Sequence, residues 1–318
     1  MKRTFELNFE DMMNISKKDL LLSISSSEGR TVMAETDVAK QPIVYGVSNP
    51  ELAAAFGADM ITLNLFDFDA PFIFGIDDKD LAISDASDMV NKSAEIQKIL
   101  RRNSADRDYI RKIKNVVGRL LGVNMEPVPK NTNYCEGRKL NKKNLDKASA
   151  LGFDYIVITG NPKTGITNED ILKGIEEAAD VLGDKAVIIA GKMHGAGSDN
   201  IYDPKVLQDF SKAGADIILI GAPGTIPGLD FELCRRQISA IHETGKMALT
   251  AIGTSQEGAN LNVIQDMALM SKMAGADIQH IGDAGYGGIA LPENISALSI
   301  AIRGKRHTYR RMAYSLRK

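Results

Sequence analysis

AGADIILIG, at residues 213–221, and AGADIQHIG, at residues 274–282, are two copies of one pattern. FGADMITLN from residue 56 and LGFDYIVIT from residue 151 repeat it: a small or apolar residue, Gly, any residue, Asp, then an apolar run. The repeated aspartates lie 95, 62 and 61 residues apart and are Asp59, Asp154, Asp216 and Asp277. Each copy predicts a helix end at the Gly, where a positive φ costs little, followed by a buried strand.

A second series of apolar runs alternates with the first. Gly or Asp followed by Lys or Arg precedes TVMAET, LLGVNM, AVIIAG and MALTAIG, and the basic residues of this series are Arg30, Arg119, Lys185 and Lys246. Helix-like stretches such as NEDILKGIEEAADVLG lie between the strands. Eight strands alternating with helices predict a parallel sheet closed into a single (β/α)8 TIM barrel. The repeated Asp and Lys/Arg residues are then expected as caps and ion pairs at the bottom of the barrel.

Three segments lie outside this regular repeat. Residues 1–28 contain an amphipathic stretch, which we interpret as an N-terminal helical cap that closes the barrel bottom. The long gap after strand 2 indicates a loop insertion at residues 66–90, rich in Asp and Phe, which fits either a lid or an oligomer contact. Residues 303–318 form a basic C-terminal extension with seven Lys/Arg and no Asp/Glu, which fits a surface helix, a subunit contact or an anionic partner.

The composition is that of an ordinary globular protein, with 44% hydrophobic residues, 25% charged residues and a formal net charge of −2. Nothing in this balance points to nucleic acid, and no apolar run is long enough to span a bilayer. The two cysteines are far apart in sequence, and the N-terminus lacks the apolar segment of a signal peptide. We therefore expect a cytoplasmic protein that binds neither membrane nor nucleic acid and forms a homo-oligomer.

The active site of this fold lies where the strands end, at their carboxyl ends. The residues there with acid, base or amine chemistry are Glu35, Glu126, Lys192, His194 and Asp283. Imidazole titrates near neutral pH, so His194 fits a general acid or base. Lys192 fits an anion contact, a Schiff-base amine or a plain surface lysine. Glu35, Glu126 and Asp283, with the Asn124 amide, fit the oxygen ligands of Mg²⁺; no organic cofactor is predicted.

The loops after strands 7 and 8 read GTSQEG and GDAGYGG. Barrel enzymes commonly bind phosphate there, because bare backbone N–H groups approach an anion closely. We predict that a phosphate is held by Gly253, Thr254, Ser255, Gly285, Gly287 and Gly288. Tight turns alone would also demand these glycines. Other polar or small residues at strand ends are predicted to bind substrate, namely Asn64, Asn124, Thr159, Asn161 and Gly221.

Three stretches resemble the BtpA/SgcQ family. GADMITLNLFDFDAPF (57–72) resembles its strand ending in an acidic, Asn-containing loop, and GRLLGVNMEPVP (118–129) is similar to its Gly-Val-Asn strand. FDYIVITGNPKTGITNEDI (153–171) resembles its strand-Gly-x-x-Thr-Gly segment, with one extra residue before the Thr. The resemblance covers strands 2 to 4. It implies a TIM barrel and adds Thr164 and Gly165 to Asn64 and Asn124 as pocket residues, while the insertion and the basic C-terminus depart from the family pattern.

Together these features predict an enzyme that acts on a small phosphorylated metabolite, such as a sugar phosphate. The reaction would be a lyase, aldolase or isomerase step with proton transfer beside a carbonyl. Glu35 or Glu126 would serve as base or metal ligand. The alternative is a non-catalytic metabolite-binding or assembly protein on the same scaffold, whose insertion and tail would be contact surfaces.

Overall fold

The chain forms a closed barrel of eight parallel strands in the order β1 to β8, in which β8 pairs back onto β1. The structure is a computed structural model and describes residues 1–81, 83, 85–129, 132–160, 164–193, 203–283 and 287–314. The strands are β1 Thr31–Asp37, β2 Met60–Asn64, β3 Leu120–Met125, β4 Tyr155–Ile158, β5 Val187–Gly191, β6 Ile217–Gly221, β7 Met247–Ile252 and β8 Ile278–Ile281. This arrangement confirms the predicted TIM barrel, and the eight predicted strands coincide with the observed ones.

Helices surround the barrel and follow most of the strands, as the alternating sequence pattern predicts. They are α1 Phe9–Met13, α2 Lys17–Ser26, α3 Asn49–Ala55, α4 Ala86–Asn91, α5 Ser93–Ala105, α6 Tyr109–Val117, α7 Lys142–Leu151, α8 Asn168–Leu182, α9 Pro204–Ala213, α10 Phe231–His242, α11 Leu261–Ala274 and α12 Pro292–Ala313. Gly118, Gly152, Gly214 and Gly275 end α6, α7, α9 and α11 in the left-handed conformation. No helix among the described residues combines the length and the apolarity needed to cross a membrane.

The barrel interior is a packed apolar core. Inward-facing strand residues form one buried cluster with side chains of the N-terminal segment, including Leu7, Met12, Leu20 and Ile24. The N-terminal helices therefore close one end of the barrel. Farther along the axis the Tyr155 ring crosses the interior, where a Cβ at Gly122 would overlap it, and its hydroxyl lies 3.1 Å from that of Thr62.

The four repeated aspartates tie neighbouring strands together at the bottom of the barrel. In each unit the Asp carboxylate accepts a hydrogen bond, 2.8 Å long, from a backbone N–H at the start of the preceding strand: Val32, Leu121, Ile188 and Ala248. Cationic partners complete the pattern: Arg303 and Arg311 on Asp59, Lys114 on Asp154, Lys17 on Asp216 and His242 on Asp277. These contacts confirm the expected caps and ion pairs, although the cations come from other positions than the predicted basic series.

The insertion after β2 packs on the outside of the barrel in its first part. Phe66 and Phe68 are buried and make edge contacts with Phe153, while Asp69 forms ion pairs with Lys143 and Lys147 of α7. The next part leads into α4 and α5, which precede α6. The buried phenylalanines thus anchor the insertion to the wall formed by α6 and α7.

The basic C-terminal segment is not simply a surface helix. Arg303 and Arg311 of α12 are buried and both contact Asp59, whereas Lys305 and Arg306 are exposed. Arg119 lies in the same region and donates to the carbonyls of Ala54, Ala58, Gly118 and Arg311. Burial, followed by the neighbouring Arg311 charge, lowers the pKa of Arg119 well below its usual value. Part of the positive charge therefore serves to fasten the last helix to the barrel.

Candidate functional site

Polar side chains replace apolar ones toward the carboxyl ends of the strands. Side chains of a strand alternate between its two faces, so a residue two positions beyond an interior residue also faces the interior. The interior cluster contains one residue from each of five strands, namely Met33, Met60, Leu120, Val157 and Ile278. Steps of two residues from these positions lead to the inward-facing polar residues at the strand ends, which are Glu35, Asn64, Asn124, Thr159 and His280. The barrel mouth is therefore lined with groups suited to chemistry.

Hydrogen bonds join Glu35, Asn124 and Asn64 with Asp283 into one network, which lies beside His280. Glu35 is buried, with its Oε2 3.4 Å from His280 Nε2, and its Oε1 accepts a bond from the Asn124 amide. The Asn124 Nδ2 also lies 3.1 Å from Asn64 Oδ1, and the Asn64 Nδ2 donates to Asp283 over 2.9 Å. The predicted residues Glu35, Asn64, Asn124 and Asp283 are thus brought together across β1, β2, β3 and β8.

A further carboxyl group, Glu257, lies beside this network in a 3-10 turn at residues 256–258, after β7. It is buried, and a Cβ on Gly282 would stand 3.7 Å from its carboxyl carbon. Burial raises the pKa of Glu257, and the nearby charges of Asp283 and Glu35 raise it further, against the opposing effects of a backbone hydrogen bond and, more weakly, of His280. Two carboxyl groups in unlike surroundings, Glu35 and Glu257, can divide acid and base roles.

Several buried polar atoms at this end of the barrel have no hydrogen-bond partner among the described residues. They are the Thr159 hydroxyl, Glu257 Oε2, His280 Nδ1 and, on the loop after β3, Arg138 Nε. A buried polar atom without a partner costs free energy, so native proteins satisfy nearly all of them with protein, water or ligand. Together with the hydrogen-bonded network around Glu35, these atoms mark the mouth as the candidate site.

Glu126 and Lys192 lie near the mouth with partners of their own. Glu126 is buried and accepts a 2.7 Å hydrogen bond from the Tyr134 hydroxyl. Burial and the Glu126 charge raise the pKa of Tyr134, which therefore stays a neutral donor. The Lys192 amine is also buried and donates to the Ile166 carbonyl over 3.0 Å. This contact directs the amine toward the loop after β4.

The loops after β7 and β8 use their glycines and hydroxyls in packing. A Cβ on Gly253 would lie 2.8 Å from the Met193 sulfur, and the Thr254 hydroxyl is within 2.7 Å of the Thr225 and Gly253 carbonyls. Thr254 and Ser255 both have positive φ at the start of the turn that carries Glu257.

Gly287 and Gly288 contact the loop after β1. Their carbonyls accept bonds from the Asn49 side chain and the Asp37 backbone. A Cβ on Gly287 would lie 3.2 Å from Ile43. The described members of the predicted phosphate cradle therefore have structural roles, and phosphate binding by them stays a prediction.

Some of the remaining predicted residues are described by the structure, and others lie outside the described residues. Gly221 lies beneath Leu229, where a Cβ would approach the leucine to 2.8 Å, so its small size has a packing reason. Thr164 and Gly165 stand at the start of the loop that supplies the Ile166 carbonyl, and Gly165 has a positive φ. Asn161, His194 and Gly285 lie outside the described residues.

The donor chemistry of the mouth suits a hard cation, because carboxylate and amide oxygens are the ligands Mg²⁺ takes. Within the described ranges, however, no three His, Cys, Asp or Glu side chains are grouped closely enough to share a metal ion. Glu35 and Asp283 are connected through the two asparagines, and Glu126 bonds to Tyr134. Mg²⁺ binding by Glu35, Glu126 and Asp283 therefore stays a prediction.

Three features of the site are not singled out by the sequence patterns. Glu257 and Arg138 lie in irregular loops, and Tyr134 precedes Arg138 in a polar segment without a recognisable motif. His280 carries a readable signal, because the two-residue alternation from Ile278 places it inside the barrel.

The chain belongs to the family described as Domain of unknown function (DUF7916), whose pattern it matches over residues 5–318. No curated protein matches the sequence. Among solved structures it is similar to oxaloacetate acetylhydrolase in complex with oxalate, with 15% identity, 87% of this chain and 82% of that chain covered, and a TM-score of 0.50.

Two more solved structures are similar in fold. A variant carboxyl transferase domain from Rhizobium etli pyruvate carboxylase with pyruvate shares 10% identity at a TM-score of 0.51, covering 98% of this chain and 52% of that one. The lyase acting on 2,3-dimethylmalate, a PEP mutase/isocitrate lyase superfamily member, shares 14% identity at a TM-score of 0.48, covering 85% and 82%. At these identities the likeness shows the barrel fold.

Proposed function

We propose that this DUF7916 member is a lyase- or isomerase-type enzyme that moves a proton beside a carbonyl group of a small phosphorylated metabolite, such as a sugar phosphate. The observation that carries the proposal is the Glu35–His280 pair inside the barrel mouth, 3.4 Å apart. Proton transfer needs a base within hydrogen-bond reach of the substrate and a group that fixes its orientation. Asn124 orients the Glu35 carboxyl group, and His280 Nε2 lies beside its other oxygen.

Glu35 is assigned as the base that takes the proton from carbon. Glu257 is assigned as the acid that protonates the carbonyl oxygen, because its raised pKa keeps it protonated to higher pH than an exposed glutamate. Asn64, Asn124 and Thr159 supply the amide and hydroxyl groups that hold substrate hydroxyls. The unpartnered Thr159 hydroxyl and His280 Nδ1 are the atoms that a bound substrate would satisfy.

A divalent cation such as Mg²⁺ fits the same chemistry as an electrophile that stabilises the negative charge on the carbonyl oxygen. Asp283 is the carboxylate that would hold it, with the Asn64 and Asn124 side chains beside it, since Glu35 is assigned as the base. This part of the proposal rests on the oxygen-rich donor set.

The test is exchange of carbon-bound hydrogen for deuterium in D₂O. A panel of phosphorylated aldoses, phosphorylated ketoses and 2-oxo acids is incubated with the protein, with and without Mg²⁺, and followed by proton NMR. Replacing Glu35→Gln should slow exchange by about 10²–10⁴-fold, the usual contribution of a general base. Glu232→Gln is the matched control, since Glu232 is exposed on α10 and pairs with the exposed Arg235 of the same helix.

Exchange by the wild-type protein that disappears in Glu35→Gln and persists in Glu232→Gln supports the assignment. Exchange that is unaffected by Glu35→Gln contradicts the role of this residue. Absence of exchange on every panel compound, with and without Mg²⁺, contradicts the proposed reaction class and favours a binding or assembly function instead.

A further inference from the structure

Arg138 is fixed beside the barrel mouth by the backbone of a 3-10 turn, Glu136–Arg138, in the loop after β3. Its own N–H donates to the Cys135 carbonyl over 3.0 Å, and its carbonyl accepts from the Glu126 N–H over 3.4 Å. Gly137 packs so closely on Asp67 that no side chain fits there. The turn is therefore held between the end of β3 and the beginning of the insertion.

The Arg138 guanidinium belongs to the loop at the carboxyl end of β3, directly beside Glu126. Its positive charge acts on Asp37 at the end of β1 as well as on its near neighbour Tyr134. In the barrel β2 lies between β1 and β3, and neighbouring strands are about 4.8 Å apart. The backbone bond between Arg138 and Glu126 sets this charge at the carboxyl ends of the strands, on the side of the mouth formed by β1 to β3.

The Arg138 side chain has unused hydrogen-bond donors. No Asp or Glu of the described chain lies within ion-pair distance of it, and its Nε is buried without a hydrogen-bond partner among the described residues. A guanidinium offers five N–H donors in a planar fork that matches two oxygens of a phosphate or carboxylate. The arrangement provides a cation at the mouth whose partner is not supplied by the described protein.

We infer that Arg138 binds the anionic group of the substrate, a phosphate or a carboxylate, and so orients the substrate across the mouth. This inference rests on the proposed function and names the residue that selects its substrate class. The opposite side of the mouth carries Asp283, whose negative charge would repel an anion, and the Glu257 acid, which offers an anion no positive charge. The anionic end is therefore drawn to the β3 side, and the reacting carbon is placed over Glu35 and His280.

The location differs from the glycine-rich loops after β7 and β8, where the sequence predicts a phosphate. Those loops use Gly253, Gly287 and Gly288 in packing and bring the Glu257 carboxyl group to the mouth. An anion placed beside Glu257 would meet a negative or strongly desolvated neighbour. At Arg138 it would complete an unfilled set of donors.

The experiment titrates the full chain with inorganic phosphate and, separately, with malonate, by isothermal calorimetry. Arg138→Gln should weaken binding of the anion at least tenfold, whereas Arg138→Lys should keep part of it, because lysine retains the charge but not the fork. Arg235→Gln is the control, because Arg235 is an exposed arginine of α10 and its loss should leave binding unchanged. Thermal melts without anion show whether each variant folds; if Arg138→Gln does not, Arg138→Lys serves as the test.

Phosphate binding that depends on Arg138 assigns a phosphorylated substrate, and malonate binding that depends on it assigns a carboxylic acid. Binding of either anion that changes less than twofold in Arg138→Gln overturns the inference, as does failure of the wild-type protein to bind both. Glu35→Gln should still bind the anion. The two proposals can therefore fail separately. If anion binding depends on Arg138 but hydrogen exchange is unaffected by Glu35→Gln, the anion site is supported and the proposed base is wrong.

Discussion

The repeated aspartates offer a series in which one substitution separates the cost of a lost charge from that of a lost hydrogen bond. Asp→Asn keeps an oxygen that can accept the 2.8 Å bond from the preceding strand, and this bond is the same in all four units. What differs is the ion pair. The exposed fractions of the two paired side chains are 0% and 0% at Asp59 with Arg303, but 21% and 42% at Asp277 with His242.

The magnitudes follow from this difference in burial. Asp59 contacts Arg303 at 2.6 Å and Arg311 at 2.9 Å, and Arg119 lies in the same buried region. Removing the only carboxylate among these guanidinium groups in the described chain leaves uncompensated buried charge, which costs about 3–5 kcal/mol. At the exposed Asp277 pair the cost should be about 0.2–1 kcal/mol, because solvent screens the interaction.

The assay is urea unfolding of the wild type and of Asp59→Asn, Asp154→Asn, Asp216→Asn and Asp277→Asn, with the free energy of unfolding obtained from each transition. The expected loss is largest for Asp59 and smallest for Asp277. Asp154 and Asp216 should fall between them, since their side chains are 6% and 11% exposed. Equal losses in all four variants would refute the reasoning and assign the cost to the strand hydrogen bond.

Three other perturbations test separate parts of the structure. The hydrogen bond to Asp277 raises the pKa of His242 in the folded state, so its stabilisation is fully present below the unfolded pKa and is lost as pH rises through the folded one. His242→Gln should therefore reduce the free energy of unfolding more at pH 5.5 than at pH 9. The difference between the two losses should be less than about 1 kcal/mol, because the pair is half-exposed. Equal losses at the two pH values in denaturant titrations would contradict it. The pKa of Glu257 is raised in the folded state, so ionisation of this group opposes folding once the pH exceeds its unfolded pKa. Glu257→Gln should therefore raise the free energy of unfolding at pH 8 by about 0.5–2 kcal/mol while lowering activity. A lower thermal midpoint would contradict this. Gly122→Ala would force a Cβ into the Tyr155 ring and should cost about 1–3 kcal/mol or more in the same unfolding assay, whereas an unchanged transition would show that the ring moves freely.

The fold follows from the sequence because its information is local and repeated. Each unit places a Gly at a helix end, an Asp at the barrel bottom and an apolar run of strand length, so the register of every strand can be read directly. The same register gives the inward position of Glu35, Asn64 and Asn124, which the structure joins through hydrogen bonds. This part of the site was predictable because strand alternation fixes the direction of each side chain.

Glu257 and Arg138 could not be found in this way. Glu257 reaches the mouth because Thr254 and Ser255 adopt positive φ, which neither residue type signals in a sequence. Arg138 is placed by long-range contacts: Glu126 pairs with Lys139, and Phe68 donates to the Gly137 carbonyl. Neither contact has a pattern with a fixed sequence spacing.

The glycine-rich loops illustrate a limit of composition as a guide to ligands. A glycine can expose backbone N–H groups to an anion, but it can also make room for a neighbour, as Gly253 does for Met193. The charges then separate the alternatives. The Glu257 and Asp283 carboxyl groups lie on the β7–β8 side, whereas the β3 side carries a guanidinium whose Nε has no partner among the described residues, so an anionic substrate is drawn toward the β3 edge of the mouth. That asymmetry orients the substrate and leaves the carboxyl groups opposite Arg138 for proton transfer, so anion binding and hydrogen exchange should respond to different residues of one site.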